Sequence, residues 1–292
     1  MQPSSRFNFL NPKDGYEATN LMFCLDYSEL QNLALKHRDN YTHAEPFQHI
    51  VIDNFFPENV LDAVLDEFPD PDHEYWGRFE SNVQTKLISK EAWNIPSKPT
   101  ELLAELNSSA FMHFLQTLTG IDGLIPDPHL SGGGLHQIES GGFLKVHADF
   151  CWHPALKLDR RINVLVYLNK DWKKEYGGEL QLWDSELKKS KKVLPIFNRM
   201  VVFNTTDFSL HGHPDPLTCP PERSRKSMAL YYYSNGRPDG EISTERPDEN
   251  TTLWTERRGE EFGSKNILVK IAKQITPPII LTALRTARDM FR

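Results

Sequence analysis

The chain has 292 residues, 39% hydrophobic and 25% charged, with a formal net charge of −7 from 33 Lys and Arg against 40 Asp and Glu. This is the balance of a soluble globular chain able to bury a core, and the acidic excess argues against a nucleic-acid-binding surface, which needs a basic one. No apolar run approaches the roughly 18 residues of a membrane span, and Met1 is not followed by a secretory n-region and h-region. Cys24, Cys151 and Cys219 are odd in number and irregular in spacing, so no disulfide framework is expected and a reducing, cytoplasmic setting is the simplest one.

Taken in chain order, residues 1–45 read as an N-terminal helical extension. Leu30, Leu33 and Leu35 outline one short amphipathic helix, which Asp26 or Ser28 would cap. His43 and His49 flank Pro46 and read as scattered surface histidines. Ile50, Val51 and Ile52 mark a strand, and Pro57 opens a helix carrying Val60, Leu61, Val64 and Leu65. The polar and aromatic stretch 69–98 reads as loop with one short strand. Pro99 to Leu118 reads as one or two helices through Leu102, Leu103, Leu106, Phe111, Phe114 and Leu115.

From Gly132 onward, short alternating apolar segments recur between Gly, Pro, Asn and Asp: 133–139, 142–150, 161–169, 178–184, 193–197, 199–205, 209–213 and 225–234. Such a series reads as antiparallel strands. With helices ahead of it, it predicts a mainly β, α+β fold, a cupin-like jelly roll with core 132–237 inside a domain of 46–240. A plain β-sandwich with a helical lobe is the alternative. In Arg161-Ile-Asn-Val-Leu-Val-Tyr167, alternation puts Asn163, Leu165 and Tyr167 on one face and Ile162, Val164 and Val166 on the other, under the helices. Residues 241–292 read as a C-terminal helical tail around Ile267, Leu268, Ile271 and Ile275, broken at Pro277-Pro278 and basic towards Arg292. It is expected to dock on its own domain or on a second copy of the chain, with a membrane surface as the lesser reading.

The chemistry centres on Phe143-Leu-Lys-Val-His147-Ala-Asp149. On a strand, His147 and Asp149 are two apart and share a face. A second histidine far along the chain would complete two His and one carboxylate on one side of an octahedron, leaving positions open, which suits non-haem Fe(II). His211 and His213 both stand in the right place for it. His-x-Asp is a weak signal alone; the ordered train behind it is stronger. That train runs through Tyr167-Leu-Asn-Lys-Asp-Trp, Gly177-Gly178-Glu-Leu, Arg199-Met-Val-Val-Phe-Asn, Ser209-Leu-His211-Gly-His213-Pro and Arg225-Lys-Ser227.

In this train the chain resembles the Fe(II)/2-oxoglutarate-dependent oxygenases of the prolyl 4-hydroxylase-like branch, over residues 46–237. Tyr167-Leu-Asn-Lys-Asp-Trp with Gly177-Gly178 is similar to the hypoxia-sensing prolyl hydroxylases. Pro46-Phe-Gln-His-Ile-Val-Ile-Asp-Asn-Phe-Phe is similar to the yeast termination-factor prolyl hydroxylases. The resemblance implies a double-stranded β-helix, with Fe(II) held by His147, Asp149 and His211, the histidine three residues before Pro214. It implies 2-oxoglutarate anchored by Arg225 with Ser227 and Tyr167, O2 as co-reactant, and ascorbate as an optional reductant. It implies hydroxylation of an unactivated C–H bond coupled to decarboxylation of 2-oxoglutarate to succinate and CO2. The substrate would be a prolyl or similar residue in a peptide or protein, or alternatively a free amino acid, sugar or other small metabolite.

Gln137 stands where the hypoxia-sensing enzymes carry a second Tyr and is expected to face the cosubstrate, with His136 turned away. Asn163, Trp152 and Trp183 are weaker candidates for cosubstrate or substrate contact. Gly177-Gly178 reads as a tight turn. A non-catalytic metal-binding jelly roll and a zinc hydrolase are the readings of another class; neither needs a cation on the last strand.

Overall fold

Apolar alternation organises the chain into one antiparallel sheet system of fourteen strands and four α-helices among the described residues. The structure is a computed structural model that describes residues 24–153, 155–241 and 252–262. The first half contains α1 (Tyr27–Thr42), β1 (His49–Asp53), α2 (Glu58–Asp66), β2 (Trp76–Glu80), β3 (Gln84–Ser89), α3 (Ser97–Leu106), α4 (Ser109–Thr119) and β4 (Ile125–Pro126). The second contains β5 (Gly134–Glu139), β6 (Phe143–Ala148), β7 (Trp152–His153), β8 (Leu158–Tyr167), β9 (Leu180–Trp183) and β10 (Ser190–Val193). It ends with β11 (Arg199–Asn204), β12 (Leu210–His213), β13 (Ser224–Ser234) and β14 (Leu253–Trp254).

Hydrogen-bonded neighbours run β1-β11-β8-β13-β5-β3-β6-β12-β9-β10. The order folds into two layers, the jelly roll expected from the strand series. Ile162, Val164 and Val166 of β8, Met228, Leu230 and Tyr232 of β13, and Met200 and Val202 of β11 form a core with the helices, through Leu30, Leu61, Leu102, Phe111 and Leu115. On the opposite face Tyr167, Leu165, Val201 and Phe203 meet Leu180 and Leu182 of β9. Each fully buried Val, Leu or Ile contributes roughly 1.5–3 kcal/mol, so the helix face alone holds β8, β11 and β13 in register.

The helices start and stop for local reasons. Asp26 caps α1, its Oδ1 accepting from the Glu29 N–H at 2.9 Å, and Ser108 caps α4 through the Phe111 N–H. The Tyr232 hydroxyl donates to the Leu106 carbonyl at the end of α3, at 3.0 Å, tying the last strand to the helical layer.

Several expectations change. On α1, Leu35 is 62% exposed, and Ala34 and Tyr41 take the buried side with Leu30. The stretch 69–98 contains a full hairpin, β2 and β3, and β3 is inserted between β5 and β6. Its polar residues face a cavity and solvent, which hid the strand. The strand expected at 193–197 lies at Ser190–Val193. Pro195 lacks the N–H a ladder needs, whereas Lys191 and Lys192 suit an edge paired only to β9. Within the supposed tail, 252–262 is not helical: Leu253 and Trp254 extend the edge of β6, Lys145 pairs with Glu260 at 2.5 Å, and Arg257 pairs with Asp215 at 2.8 Å. The rest of the expected helical tail, 242–251 and 263–292, and residues 1–23 lie outside the described residues. Cys24, Cys151 and Cys219 form no disulfide among the described residues, and no helix of the described residues is long and apolar enough to cross a membrane.

Candidate functional site

Antiparallel pairing of β6 with β12 sets His147 directly opposite His211, with ring centroids 4.4 Å apart. Asp149 follows just past the end of β6. Its Oδ1 lies 3.4 Å from His147 Nε2 and its Oδ2 3.3 Å from His211 Nε2. One ligand atom from each of the three falls within 4.8 Å of the others. Both imidazoles are oriented from behind: His147 Nδ1 is 2.8 Å from the Lys145 carbonyl and His211 Nδ1 is 2.9 Å from the Ser209 carbonyl. A carbonyl can only accept, so each Nδ1 carries the proton and each neutral ring presents its Nε2 lone pair to the centre. Burial and the neighbouring His211 hold His147 below its ordinary pKa, which keeps it neutral.

Two side chains of β8 fix the carboxylate. Arg160 Nη2 donates to Asp149 Oδ2 at 2.8 Å and Asn163 Nδ2 to the same oxygen at 2.7 Å. Asn163 Oδ1 in turn accepts from Arg160 Nε and Nη2 at 3.0 and 2.7 Å. Arg160 is clamped by the Tyr231 ring, 3.4 Å from its Cζ. Burial alone would raise the Asp149 pKa, but Arg160 and the two histidines outweigh it and hold the carboxyl well below its usual range.

Across the cavity, β13 carries Arg225 and Ser227 on its inner face. Ser227 lies between Tyr167 of β8 and His136 of β5. Arg225 is 4% exposed. Its Nε donates to the Gly178 carbonyl at 2.8 Å and its Nη2 to the Tyr167 hydroxyl at 3.1 Å, which leaves Nη1 without a protein acceptor among the described residues. Burial pushes the Tyr167 phenol up despite Arg225, so it is neutral and keeps its own O–H to donate. Gly178, more than a turn, makes this possible: at φ 74° a Cβ there would lie 2.6 Å from Leu217 Cδ2 and 3.0 Å from Arg225 Cδ. The neighbouring cations are elsewhere. Arg223 donates to the Lys170 carbonyl, and Lys226 turns to the helix side, over the Phe68 ring at 5.8 Å.

His147, Asp149, His211, Asn163, Arg225 and Ser227 therefore line one cavity, and Tyr167 is bonded to its arginine. Three expectations are corrected, those for Gln137, His136 and Trp183. Gln137 faces away: it pairs with Lys226 in register and donates to Ser224 Oγ at 2.7 Å, while His136 lines the cavity. Strand β5 has apolar residues on both faces, Leu135 to the helices and Ile138 to the cavity, so alternation left its phase undetermined. Trp183 points out of the barrel, packed on Val146, Ala148 and Leu210, because Leu180 and Leu182 take the inward positions of β9. Trp152 is 37% exposed on the short strand β7, opposite Asp159, and outside the cavity lining. Asn163 does line the cavity, but its amide is spent on Asp149 and Arg160.

Sequence reasoning missed Arg160, His136, Lys86 of β3 and Trp254. The Trp254 ring lies 5.0 Å from that of His147. Arg160 stands three residues before Asn163 on a recognisable strand and could have been found; Trp254 and Lys86 come from segments whose pairing had no periodic signal. His213 lines the same cavity beyond a bulge at Gly212, where a Cβ would lie 2.7 Å from the Leu144 carbonyl oxygen. It is not part of the three-residue cluster.

Residues 133–233 match the family model of the 2OG-Fe(II) oxygenase superfamily. The likeness to that superfamily spans the strands from β5 to β13. Relatives of the chain include mouse prolyl 3-hydroxylase OGFOD1, 27% identical over 195 residues, which are 65% of this chain and 33% of the relative. The chain thus spans about a third of the length of that curated relative. The fold is shared with a prolyl hydroxylase from Trichoplax adhaerens solved with a hypoxia-inducible-factor peptide, at a TM-score of 0.52 and 20% identity over 71% of this chain and 91% of that one. It is also shared with a Pseudomonas putida prolyl-4-hydroxylase, at a TM-score of 0.51 and 17% identity over 70% of this chain and 100% of that one.

Proposed function

We propose that the chain is an Fe(II)- and 2-oxoglutarate-dependent dioxygenase that hydroxylates an unactivated C–H bond. One O2 is consumed; one of its oxygen atoms enters the product and the other enters the succinate formed with CO2 from 2-oxoglutarate. The observation that carries this reading is the pairing, in one cavity, of two Nε2 lone pairs and a carboxylate with a buried arginine on the last strand. A structural or hydrolytic metal site has no use for that arginine.

His147, Asp149 and His211 would hold the iron. Their donor set is that of a facial triad, with both Nδ1 protons fixed on backbone carbonyls and Asp149 kept ionised by Arg160 and Asn163. Bound there together, iron and 2-oxoglutarate supply the activation of O2; the protein supplies orientation and exclusion of water. Arg225 would pair with the distal carboxylate of 2-oxoglutarate, with the Tyr167 and Ser227 hydroxyls donating beside it. A dicarboxylate fits this end of the cavity because the guanidinium is buried, held by Gly178 and Tyr167, and keeps Nη1 for a ligand.

A prolyl or similar residue in a peptide is the substrate favoured by the mouse relative; a small metabolite is the alternative. The test is aerobic turnover: the iron-loaded protein should convert 2-oxoglutarate to succinate, slowly alone and faster with a substrate found by a mass gain of one oxygen. Succinate formation that is independent of iron, or absent with every peptide and metabolite screened, contradicts the reading.

A further inference from the structure

Lys86 is the cation that this chemistry does not use. Alternation on β3 sends Leu87 into the helix-side core and Lys86 to the opposite face, into the cavity of His147 and Asp149. The same side chain lines a surface groove with Phe79 and Gly141, so it stands where the groove meets the cavity. No carboxylate of the described residues is within ion-pair distance of its ammonium. Asp149 is taken by Arg160 at 2.8 Å and by the two histidines, and Glu139 in the groove is paired with Arg78 at 3.3 Å. Burial pushes the Lys86 amine down to about 8 even against the attraction of Asp149. An ammonium kept in such a place without a counter-ion destabilises the free protein and is complementary to an anion that arrives.

A second observation points the same way. His213 is 3% exposed, and neither of its ring nitrogens has a hydrogen-bond partner. Buried polar groups are normally satisfied, so an orphaned imidazole in the wall of a cavity is expected to meet a ligand. 2-Oxoglutarate has two carboxylates, one for Arg225 and one for the metal. The cavity therefore keeps donors in excess of its cosubstrate.

We propose that Lys86 receives a carboxylate of the substrate, so that the molecule hydroxylated is an acid. The carboxylate can belong to an acidic peptide or to a free carboxylic acid. This rests on the oxygenase reading for what happens to the bound molecule, and on the cavity alone for its binding.

The test uses probes made as acid and amide pairs: proline-containing peptides with Asp or Asn, and Glu or Gln, at one position, and free amino acids against their amides. Each is titrated by calorimetry into the full chain loaded with metal and 2-oxoglutarate, without oxygen. The acid of at least one pair should bind tenfold or more tighter than its amide. Lys86→Met should bring that ratio to within twofold, Lys86→Arg should restore it, and both should leave the 2-oxoglutarate affinity within twofold. Whether the preference appears among the peptides or the free acids identifies the source of the carboxylate. Equal binding of acid and amide throughout, or a preference that survives Lys86→Met, overturns the proposal. A tenfold loss of 2-oxoglutarate affinity in Lys86→Met also overturns it, by making Lys86 a cosubstrate anchor. Failure of the oxygenase reading would look different: no iron-dependent succinate, whatever the acid and amide ratios.

Discussion

On β8, Ile162, Val164 and Val166 turn towards the helices while Asn163, Leu165 and Tyr167 turn into the cavity. On β13, Met228 and Leu230 make the same choice against Arg225 and Ser227. The helix face is apolar at these positions, and its contribution is stability and register. The cavity face holds an arginine, a carboxylate, histidines and a phenol away from bulk water, which is costly unless each has a partner. Arg160, Asp149 and Asn163 satisfy one another; Arg225 is held by Gly178 and Tyr167. Register on the first face thus delivers geometry on the second: a slip of one residue would exchange Val164 for Asn163 and dissolve the site.

Breaking each face separately should give different failures. The largest effect is expected from Asp149→Ala, which removes one of three proposed ligands and strands Arg160. Iron retention and 2-oxoglutarate turnover should both be lost, and the uncompensated buried cation should lower stability by about 3–5 kcal/mol, read by metal analysis and by chemical denaturation. Leu230→Ala on the helix face should cost about 2–5 kcal/mol in denaturation while the folded protein still retains iron. If Leu230→Ala loses metal at full stability, the two faces are not separable.

Arg225→Leu should leave iron binding nearly intact. It should raise the 2-oxoglutarate concentration for half-saturation about tenfold to a hundredfold, because a charge-assisted hydrogen bond is worth about 1.5–3 kcal/mol. An unchanged requirement would put the anchor elsewhere in the cavity. The smallest effect on metal is expected from His213→Ala, which should keep its iron. If that variant alone loses metal, the distal ligand is His213.

How far the sequence carried these arguments depended on periodicity. Strand β8 was legible because one face was wholly apolar and the other partly polar, and β13 followed from Arg225-Lys-Ser227 at the same phase. Strand β5 was not, because Leu135 and Ile138 are apolar on opposite faces, and Gln137 was consequently exchanged with His136. Trp183 was misplaced for a similar reason, since Leu180, Leu182 and Trp183 are all apolar. Strand β3 escaped because Gln84, Thr85 and Lys86 have no apolar rhythm; pairing with β2 and insertion between β5 and β6 make them a strand. Segment 252–262 escaped because pairing to β6 is a tertiary event, with two residues in the ladder. The proposed metal cluster needed only His147 and Asp149 on one face and a distant histidine, whereas the partners of Asp149 needed the folded contact between β6 and β8.

The proposed arrangement is a single cavity that holds iron on His147, Asp149 and His211 and 2-oxoglutarate on Arg225. It is tested most directly by adding Fe(II) and then 2-oxoglutarate without oxygen and recording the weak visible charge-transfer absorption of a cosubstrate chelated to iron. The wild-type chain should develop the band, Asp149→Ala should not develop it at any cosubstrate concentration, and Arg225→Leu should develop it only at much higher 2-oxoglutarate. A wild-type chain that binds iron but shows no band, or an Asp149→Ala chain that shows the full band, would rule this arrangement out.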